Sequence, residues 1–359
     1  MILSDFIQML GIDSTSGQEA GFGVFLAEKL KRDANRLEIF EVGDGTRNLF
    51  FSWGDPELVF CTHIDTVPPY IAASVDGDVI RGRGSCDAKG QIFAMYSACV
   101  ELEKEGCDGF GLLLLSGEET GSWGAKAMRR LADFKLKYPR ARTVIVGEPT
   151  DNCMASAAKG TKSFELTFRG EPCHSGYPGQ GSSAVDHFVN FCNALRTVEF
   201  PEDPVLGQTN WNIGRLYSDN PQNILSGELK CRLYFRTTFE SDAVVCGIMK
   251  NIAGEDARMR LGRDAVKFDG PAPWQKAMNV EAYGGDAPLE YMTLPGFETK
   301  PVAFGSDAPY LDMFENRILC GPGSIMTAHT DRESVSRADL ETAVMQYRKM
   351  YYMLTKKQF

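Results

Sequence analysis

The chain has 359 residues, a formal net charge of -10 and a hydrophobic content of 43%. Because single hydrophobic cores stop growing near roughly 250 to 300 residues, this length predicts two domains. The acidic charge and the lack of a Lys/Arg-rich block exclude the broad cationic face that binding to a phosphate backbone needs, so nucleic acid is not an expected partner.

The ten cysteines contain no Cys-x-x-Cys pair and lie mostly within apolar runs. This pattern favours reduced, buried thiols over disulfides, as in a reducing cytosol. The first residues lack a basic stretch followed by a long apolar segment, and no apolar run approaches the roughly 18 residues of a membrane span. We therefore expect a soluble cytoplasmic protein with no membrane partner.

The first 150 residues alternate strand-like and helix-like segments. The apolar patterns predict strands at residues 48–53, 57–61, 111–116 and 143–147, and helices at residues 89–104 and 122–134. This alternation predicts an α/β domain in which helices cover both faces of a mostly parallel sheet. Ligands bind beyond the carboxyl ends of the strands in such sheets.

After Pro149 the pattern changes to strand, helix, strand, strand, helix, strand. These elements are predicted at residues 162–169, 182–198, 210–217, 228–237, 241–253 and 265–268. Their order suggests an inserted α+β domain of the ferredoxin-like type, which we place at residues 156–269.

The chain then returns to the first domain through a proline-rich hinge at residues 271–274. Further α/β segments are predicted at residues 301–304 and 317–320, with a final helix at residues 337–356. The outer domain is therefore discontinuous and comprises residues 1–155 and 270–359.

Acidic and imidazole side chains follow several of the predicted strands. The set comprises His63, Asp65, Asp87, Glu118, Glu119, Glu148 and His329, and it holds two of the four histidines in the chain. Imidazole and carboxylate without thiolate are typical ligands of catalytic zinc, and cobalt and manganese accept them as well. The shared position after strands predicts that these side chains converge on one cleft that binds two metal ions.

Hydrolysis of an unactivated amide needs a nucleophilic water, a polarised carbonyl and a proton for the departing amine. Two metal ions that share one carboxylate supply the first two, and Asp87, in a glycine-rich loop, is the predicted shared ligand. Successive side chains of extended backbone point in opposite directions, so we assign Glu119 to metal and Glu118 to the general base. Asp65 lies two residues after His63 and is predicted to fix its tautomer.

Each of these features also has a purely structural interpretation. A lone His-x-Asp after a strand is more often a hydrogen-bonded loop feature, a Glu-Glu pair is usually solvated, and Asp87 alone fits a glycine-rich turn. Recurrence at several strand ends favours the catalytic interpretation. His187, beside Phe188 and Phe191 on an apolar helix face, is instead predicted to be a packed histidine.

Six motifs then point to a known family. They are Thr-His-Ile-Asp-Thr-Val-Pro at residues 62–68, Gly-Arg-Gly-Ser-Cys-Asp-Ala-Lys-Gly at 82–90, Gly-Glu-Glu-Thr-Gly at 117–121, Glu-Pro-Thr at 148–150, His-Ser-Gly at 174–176 and Ala-His at 328–329. Together they resemble the zinc aminoacylase and carboxypeptidase family, in particular acetylornithine deacetylase and succinyl-diaminopimelate desuccinylase. The resemblance covers most of the chain.

The resemblance implies two ligand sets and one base. One metal would take His63, Asp87 and Glu148, and the other would take Asp87, Glu119 and His329. Glu118 would be the general base, in agreement with the assignment from the residues themselves.

The resemblance also assigns roles to the inserted domain. His174 matches a histidine that reaches the cleft of a partner subunit and stabilises the oxyanion, although by itself it would be interpreted as a turn histidine.

Asn223 and Arg236 match positions that contact a substrate carboxylate, and for Arg236 the alternative is a surface charge at a strand end. An arginine suits a carboxylate because its planar fork donates two parallel hydrogen bonds. Gly305, Ser306 and Asp307 resemble a turn that lines the substrate. The inserted domain resembles the family's lid and dimerisation domain, which implies a homodimer.

Two positions depart from the family pattern. Ser226 stands where proline usually precedes the glycine, and Arg332 stands where an acidic or amide residue usually precedes Glu333. Arg332 suggests an anionic or unusual acyl-amino-acid substrate, with a solvent-facing side chain as the alternative.

These observations predict a metal-dependent amidohydrolase acting on an N-acyl-L-amino acid, with N-acetyl-L-ornithine of arginine biosynthesis as the first candidate substrate. N-acetylcitrulline, N-succinyl amino acids or diaminopimelate, and small dipeptides are the alternatives within this class. A non-catalytic binding protein on the same scaffold is the alternative from another class, and retention of every candidate ligand argues against it. A cysteine hydrolase, using Cys61, Cys86 or Cys173, is a further alternative.

Overall fold

The computed structural model describes residues 2–43, 45–252 and 273–355. The predicted strand at residues 265–268 and the first half of the predicted hinge lie outside the described residues, as do the last residues of the helices predicted at 241–253 and 337–356. The chain forms two compact units. The first comprises the residues up to Ser156, Glu290–Lys300 and the residues from Ser306 onward, and the second comprises Ala157–Leu289 and Pro301–Gly305.

The strands are numbered in chain order. They are β1 Arg36–Gly43, β2 Thr46–Trp53, β3 Leu58–His63, β4 Ser74–Asp76, β5 Val79–Arg81, β6 Phe110–Leu115, β7 Thr143–Val146, β8 Met154–Ala158, β9 Gly160–Arg169, β10 Asn210–Tyr217, β11 Glu228–Thr237, β12 Met278–Gly284, β13 Leu289–Glu290, β14 Thr299–Val302, β15 Asn316–Leu319 and β16 Ser334–Ser336.

The α-helices follow the same convention. They are α1 Leu3–Leu10, α2 Ala20–Lys29, α3 Lys89–Lys104, α4 Trp123–Arg130, α5 Ala132–Lys137, α6 Ala184–Arg196, α7 Asp242–Ile252, α8 Pro273–Lys276 and α9 Arg337–Thr355. Short 3₁₀ turns lie at Pro178–Gln180 and Ala308–Tyr310. Among the described residues, no helix is both long enough and apolar enough to cross a bilayer.

A six-stranded sheet forms the centre of the first unit, in the order β1-β2-β6-β3-β7-β15. The pairs β6/β3, β3/β7 and β7/β15 are parallel, whereas β1/β2 and β2/β6 are antiparallel. Every residue of β3, β6 and β7 is buried, as expected for parallel strands covered on both faces. The predicted α/β class with a mostly parallel sheet is confirmed.

Helices cover both faces of this sheet. Leu49 and Phe51 belong to the large core that includes α1, α2, α3 and α9. The residue between them, Phe50, points to the other face and packs against Phe134 of α5, with ring centroids 5.2 Å apart. The helix predicted at residues 122–134 is divided in two, because Leu131 has φ -86° and ψ 82°, outside the helical region.

The second unit contains a four-stranded antiparallel sheet in the order β10-β11-β9-β12. Residues of α6 and α7 share one apolar core with this sheet, including Phe168 of β9 and Phe191 of α6, whose rings lie 5.6 Å apart. Numbered within the unit, the strand order is 2-3-1-4, that of the ferredoxin-like arrangement. Its fourth strand is β12, which the sequence did not predict.

Candidate metal centre

Parallel strands place the predicted ligands at one edge of the central sheet. β3 ends at His63, β6 ends three residues before Glu118, and β7 ends two residues before Glu148. Because these three strands are parallel neighbours, their carboxyl ends meet at the same edge. Residues separated by more than 80 positions in the sequence therefore lie close together.

Asp87 lies between two histidines. One oxygen, Oδ1, is 3.0 Å from Nε2 of His63, and the other, Oδ2, is 3.1 Å from Nε2 of His329. His329 Nε2 is also 2.9 Å from Oε1 of Glu119. The two oxygens of one carboxylate thus face two different imidazoles.

The side chains form two donor groups that share Asp87. Donor atoms of His63, Asp87 and Glu148 lie within 4.8 Å of one another, and so do those of Asp87, Glu119 and His329. These are the ligand sets that the family resemblance implied. A third group within the same distance joins His63, Glu118 and Glu119, so Glu118 also borders the site.

The donor spacing fits a transition-metal site. Two donors bound at about 2.0 to 2.1 Å to one tetrahedral ion lie roughly 3.3 Å apart. The three contacts among Asp87, Glu119 and the two imidazoles measure 3.0, 3.1 and 2.9 Å. Only small movements of these contacting donors are needed for them to share a divalent ion.

Electrostatics favours a cation at the same place. Burial raises the pKa of Glu118 and Glu148 well above the usual value, and the neighbouring Asp87 carboxylate raises both further. The contacts with Asp87 and Glu119 raise the pKa of His329 to about 10. A buried excess of carboxylates of this kind is offset by bound divalent ions.

The backbone of the Asp87 loop requires glycine. Gly82 and Gly84 have φ values of 139° and 86°, which favour glycine. At Gly90, in the first turn of α3, a Cβ would lie 2.2 Å from the carbonyl oxygen of Ser85. His329 itself has φ 62°, in a turn in which the Oγ1 of Thr330 donates to the carbonyl of Thr327 at 2.7 Å.

Asp65 holds the Glu118-Glu119 segment. Its Oδ1 accepts a hydrogen bond from the amide of Glu118 at 3.0 Å, and its Oδ2 accepts one from the amide of Glu119 at 3.2 Å. Ser16 Oγ donates to Oδ2 at 2.7 Å. Nδ1 of His63 lies 2.9 Å from the backbone oxygen of Asp65 and 3.5 Å from its carboxylate. Asp65 therefore contacts His63, as the sequence suggested, and also fixes both glutamates, which the sequence did not indicate.

Asp307, the last residue of the turn that resembles a substrate-lining turn, is a buried carboxyl. Burial raises its pKa to about 7, and one of its oxygens has no hydrogen-bond partner in the described part of the chain. It follows Ser306, whose hydroxyl is 3.3 Å from that of Tyr291. The sequence therefore indicated the position of Asp307, whereas its burial and its oxygen without a partner among the described residues are seen only in the structure.

A model of the family described as Peptidase family M20/M25/M40 matches residues 59–352. The chain is a member of this family. It is 31% identical over 95% of its length to a peptidase M20 domain-containing protein of Schizosaccharomyces pombe, covering 82% of that protein. It is also 31% identical over 97% of its length to a probable carboxypeptidase of Aspergillus fumigatus, covering 86% of it.

Solved structures show the same fold. A tripeptidase from Staphylococcus aureus matches with a TM-score of 0.77 at 18% identity, covering 99% of this chain and 98% of that one. A Bacillus subtilis protein described as a dinuclear metal binding peptidase of the M20 family matches with a TM-score of 0.66 at 11% identity, covering 99% and 98%. The chain is thus an M20 hydrolase whose first unit contains candidate ligands for metal.

The remaining predicted site residues of this M20 protein, apart from Ser306, lie in its second unit. The amide of Ser175, next to His174, donates to the backbone oxygen of Asn223 at 2.8 Å, which places the two predicted residues side by side. The guanidinium of Arg236 lies 5.0 Å from the centre of the Tyr234 ring. The Nη1 atom of Arg236 is also close to Gly305, at 3.8 Å from the position that a Cβ would occupy there.

The structure argues against Cys61 and Cys86 as the nucleophile of the M20 protein. Cys61 and Cys86 are fully buried, and burial raises the pKa of both thiols well above the usual value. The reactive form of cysteine is the thiolate, which needs a lowered pKa and access to substrate.

Proposed function

We propose that this M20 protein is a two-metal hydrolase that cleaves an amide bond next to a free carboxylate on the amine side. The observation that carries the proposal is the position of Asp87, whose two oxygens face different imidazoles at 3.0 and 3.1 Å. A carboxylate shared between two donor groups is an arrangement that can bridge a pair of adjacent metal ions.

The ligands are assigned as two sets that share one residue. His63, Asp87 and Glu148 would hold one ion, and Asp87, Glu119 and His329 would hold the other. Zinc suits this imidazole and carboxylate set best, with cobalt or manganese as possible replacements. When bound, the ions supply Lewis-acid polarisation of the substrate carbonyl and of the attacking water.

Glu118 is the proposed general base. A carboxylate oxygen of Glu118 lies within 4.8 Å of donor atoms of His63 and Glu119. The backbone amide of Glu118 donates to Asp65 at 3.0 Å, which fixes its position. The Glu118 carboxylate takes a proton from the attacking water and gives it to the departing amine. Burial raises its pKa above the usual value, which makes its carboxylate a stronger base toward the attacking water.

Arg236 is the proposed contact for the substrate carboxylate. Among the residues that the structure describes, it has no acidic side chain within ion-pairing distance, and Lys159 adds positive charge nearby. The pKa of Lys159 is lowered by its burial and by the charge of Arg236. An arginine in this condition is available to a carboxylate, with His174 and Asn223 proposed for the oxyanion and the substrate.

The substrate proposed first is an N-acyl-L-amino acid, specifically N-acetyl-L-ornithine of arginine biosynthesis. N-acetylcitrulline, N-succinyl amino acids and succinyl-diaminopimelate belong to the same chemical class. A C-terminal peptide or dipeptide is the second candidate, and the name carboxypeptidase carried by the Aspergillus fumigatus relative favours it. Both classes present a free carboxylate on the amine side of the scissile amide, so Arg236 serves either.

A substrate panel distinguishes these possibilities. Purified protein loaded with zinc or cobalt is assayed with acetylornithine, acetylcitrulline, succinylornithine, succinyl-diaminopimelate, dipeptides and tripeptides. Turnover of acylated amino acids supports the first proposal, and turnover of peptides alone replaces it with the second. Metal uptake without turnover of any substrate would support the binding-protein alternative.

We also propose that the protein forms a dimer through its second unit and that it is located in the cytoplasm. The dimer follows from the resemblance of this unit to the lid domain of the family, and His174 would then act in the cleft of a partner subunit. Sedimentation velocity tests it, and a fully active monomer would exclude the dimer as a requirement.

A further inference from the structure

Arg83 and Glu333 form a buried ion pair beside the candidate ligands. Arg83 Nη1 donates to Glu333 Oε2 at 2.5 Å, and each residue is only 2% exposed. The two residues are 250 positions apart in the sequence. Removing two charged groups from water is costly, so a buried pair of this kind needs further hydrogen bonds to be stable.

Glu333 connects this pair to Asp87. Its second oxygen, Oε1, accepts hydrogen bonds from the backbone amides of Asp87 at 3.1 Å and of Cys86 at 3.3 Å. The carboxylate therefore fixes the backbone that carries the shared ligand. The amide of Gly82 also donates to the backbone oxygen of Glu333 at 3.2 Å, which ties the same two segments together.

Arg83 connects the pair to the turn of His329. Its Nη1 donates to the carbonyl of Thr330, the residue after His329, at 3.2 Å. Its Nε donates to the carbonyl of Pro69 at 3.2 Å. One guanidinium thus holds a carboxylate and two backbone carbonyls through two separate nitrogens, Nη1 and Nε, whereas a lysine has a single nitrogen.

We infer that Arg83 and Glu333 are positioning residues that set the metal affinity of the site by holding Asp87 and His329 at a fixed separation. This inference rests on the two-metal function proposed above. The two donor groups depend on the pair to different degrees. The group of His63, Asp87 and Glu148 depends on it through Asp87 alone, whereas the other group depends on it through both Asp87 and His329.

The variant Glu333→Gln tests the inference. The Glu333 carboxylate accepts hydrogen bonds from Arg83, Cys86 and Asp87. A glutamine amide has only one oxygen, so in either orientation its NH₂ group faces a donor and at least one of these hydrogen bonds is lost. We expect the dissociation constant of the Asp87, Glu119, His329 ion to rise about 30- to 100-fold, and that of the other ion about 10-fold. Isothermal titration with zinc measures both, and the visible spectrum of the cobalt-loaded protein reports the change in coordination.

Glu103→Gln is the matched control. Glu103 also forms an ion pair with an arginine, Arg32, at 2.8 Å, and accepts a hydrogen bond from the indole of Trp53 at 2.8 Å. It lies near the far end of α3, about 21 Å at 1.5 Å per residue from Lys89, the first residue of the helix. Its loss should lower thermal stability and leave both zinc affinities and the cobalt spectrum unchanged.

The outcomes separate the inference from the proposed function. If the unaltered protein binds fewer than two ions, the proposed function fails. If the unaltered protein binds two ions and Glu333→Gln binds both with unchanged affinity and an unchanged cobalt spectrum, the positioning role is wrong. The inference would also be overturned if Glu103→Gln weakened zinc binding as much as Glu333→Gln does. Should Glu333→Gln not fold, Arg83→Gln decides, because a shorter, neutral side chain cannot donate to both Glu333 and the carbonyl of Thr330. Selective weakening of the His329 ion supports the inference, and unchanged affinity refutes it.

Discussion

Replacement of Asp65 by asparagine should lower kcat even when both metal sites are filled. Asp65 accepts the amide of Glu118 on one oxygen and the amide of Glu119 on the other, at 3.0 and 3.2 Å. Asparagine keeps the shape but has one oxygen, so one of these amides must face an N–H group. The segment that carries the proposed base would then lose its fixed position.

The size of the effect follows from these two hydrogen bonds. A hydrogen bond to a charged group contributes about 1.5 to 3 kcal/mol, and loss of one with weakening of the other costs about 2 to 4 kcal/mol. If this cost falls on the transition state, kcat decreases roughly 30- to 1000-fold at 1.36 kcal/mol per factor of ten. Ser16→Ala is the control, since it removes a hydrogen bond from the same carboxylate but leaves both amide contacts, and its kcat should stay within about fivefold of the original.

The assay is kcat at saturating substrate and metal, with metal content measured on the same samples. Asp65→Asn should bind metal more weakly, because Asp65 also holds the amide of Glu119 and contacts His63, so metal is supplied in excess and both sites must be shown to be filled. In a Glu118→Gln background the Asp65 substitution should reduce kcat little further, since Asp65 would act through Glu118. A single variant with more than half of the original kcat, or fully additive effects in the double variant, would refute the reasoning.

Three further results are expected. Glu118→Gln should lower kcat by roughly 100- to 10,000-fold with metal content near normal by mass spectrometry, and loss of metal in this variant would mean that the roles of Glu118 and Glu119 are exchanged. Chelation should abolish turnover, cobalt or zinc should restore it, and thiol alkylation should have no effect; the reverse pattern would indicate a cysteine enzyme. Arg236→Lys should raise KM at least fivefold while changing kcat less, because the bidentate contact with the substrate carboxylate is lost, and an unchanged KM would place the carboxylate elsewhere.

The sequence predicted the parts of the fold that local patterns determine. The uninterrupted apolar runs of β3, β6 and β7 identify buried parallel strands, and their parallel pairing explains why His63 and Glu148 meet. The segments β1, β12, α1 and α2 were not predicted. Strand β1 lies at an edge of the sheet and has no fully buried residue, so its apolar pattern is weak. Helix α2 contains two glycines, which lower helix propensity.

The contacts that support the site could not be predicted from the sequence. Glu333 binds the amide of Asp87 from 246 positions away, and Asp65 binds the amide of Glu118 from 53 positions away. These bonds involve backbone groups, which every residue carries, so no residue pattern marks them. The sequence therefore indicates candidate ligands, whereas the structure shows what holds them.

Crystals of the protein grown with zinc would test the central claim most directly, through anomalous scattering recorded on both sides of the zinc absorption edge. The account predicts two adjacent zinc peaks, with one oxygen of Asp87 bound to each ion and Glu118 bound to neither. A single ion, or two ions without Asp87 between them, would contradict it.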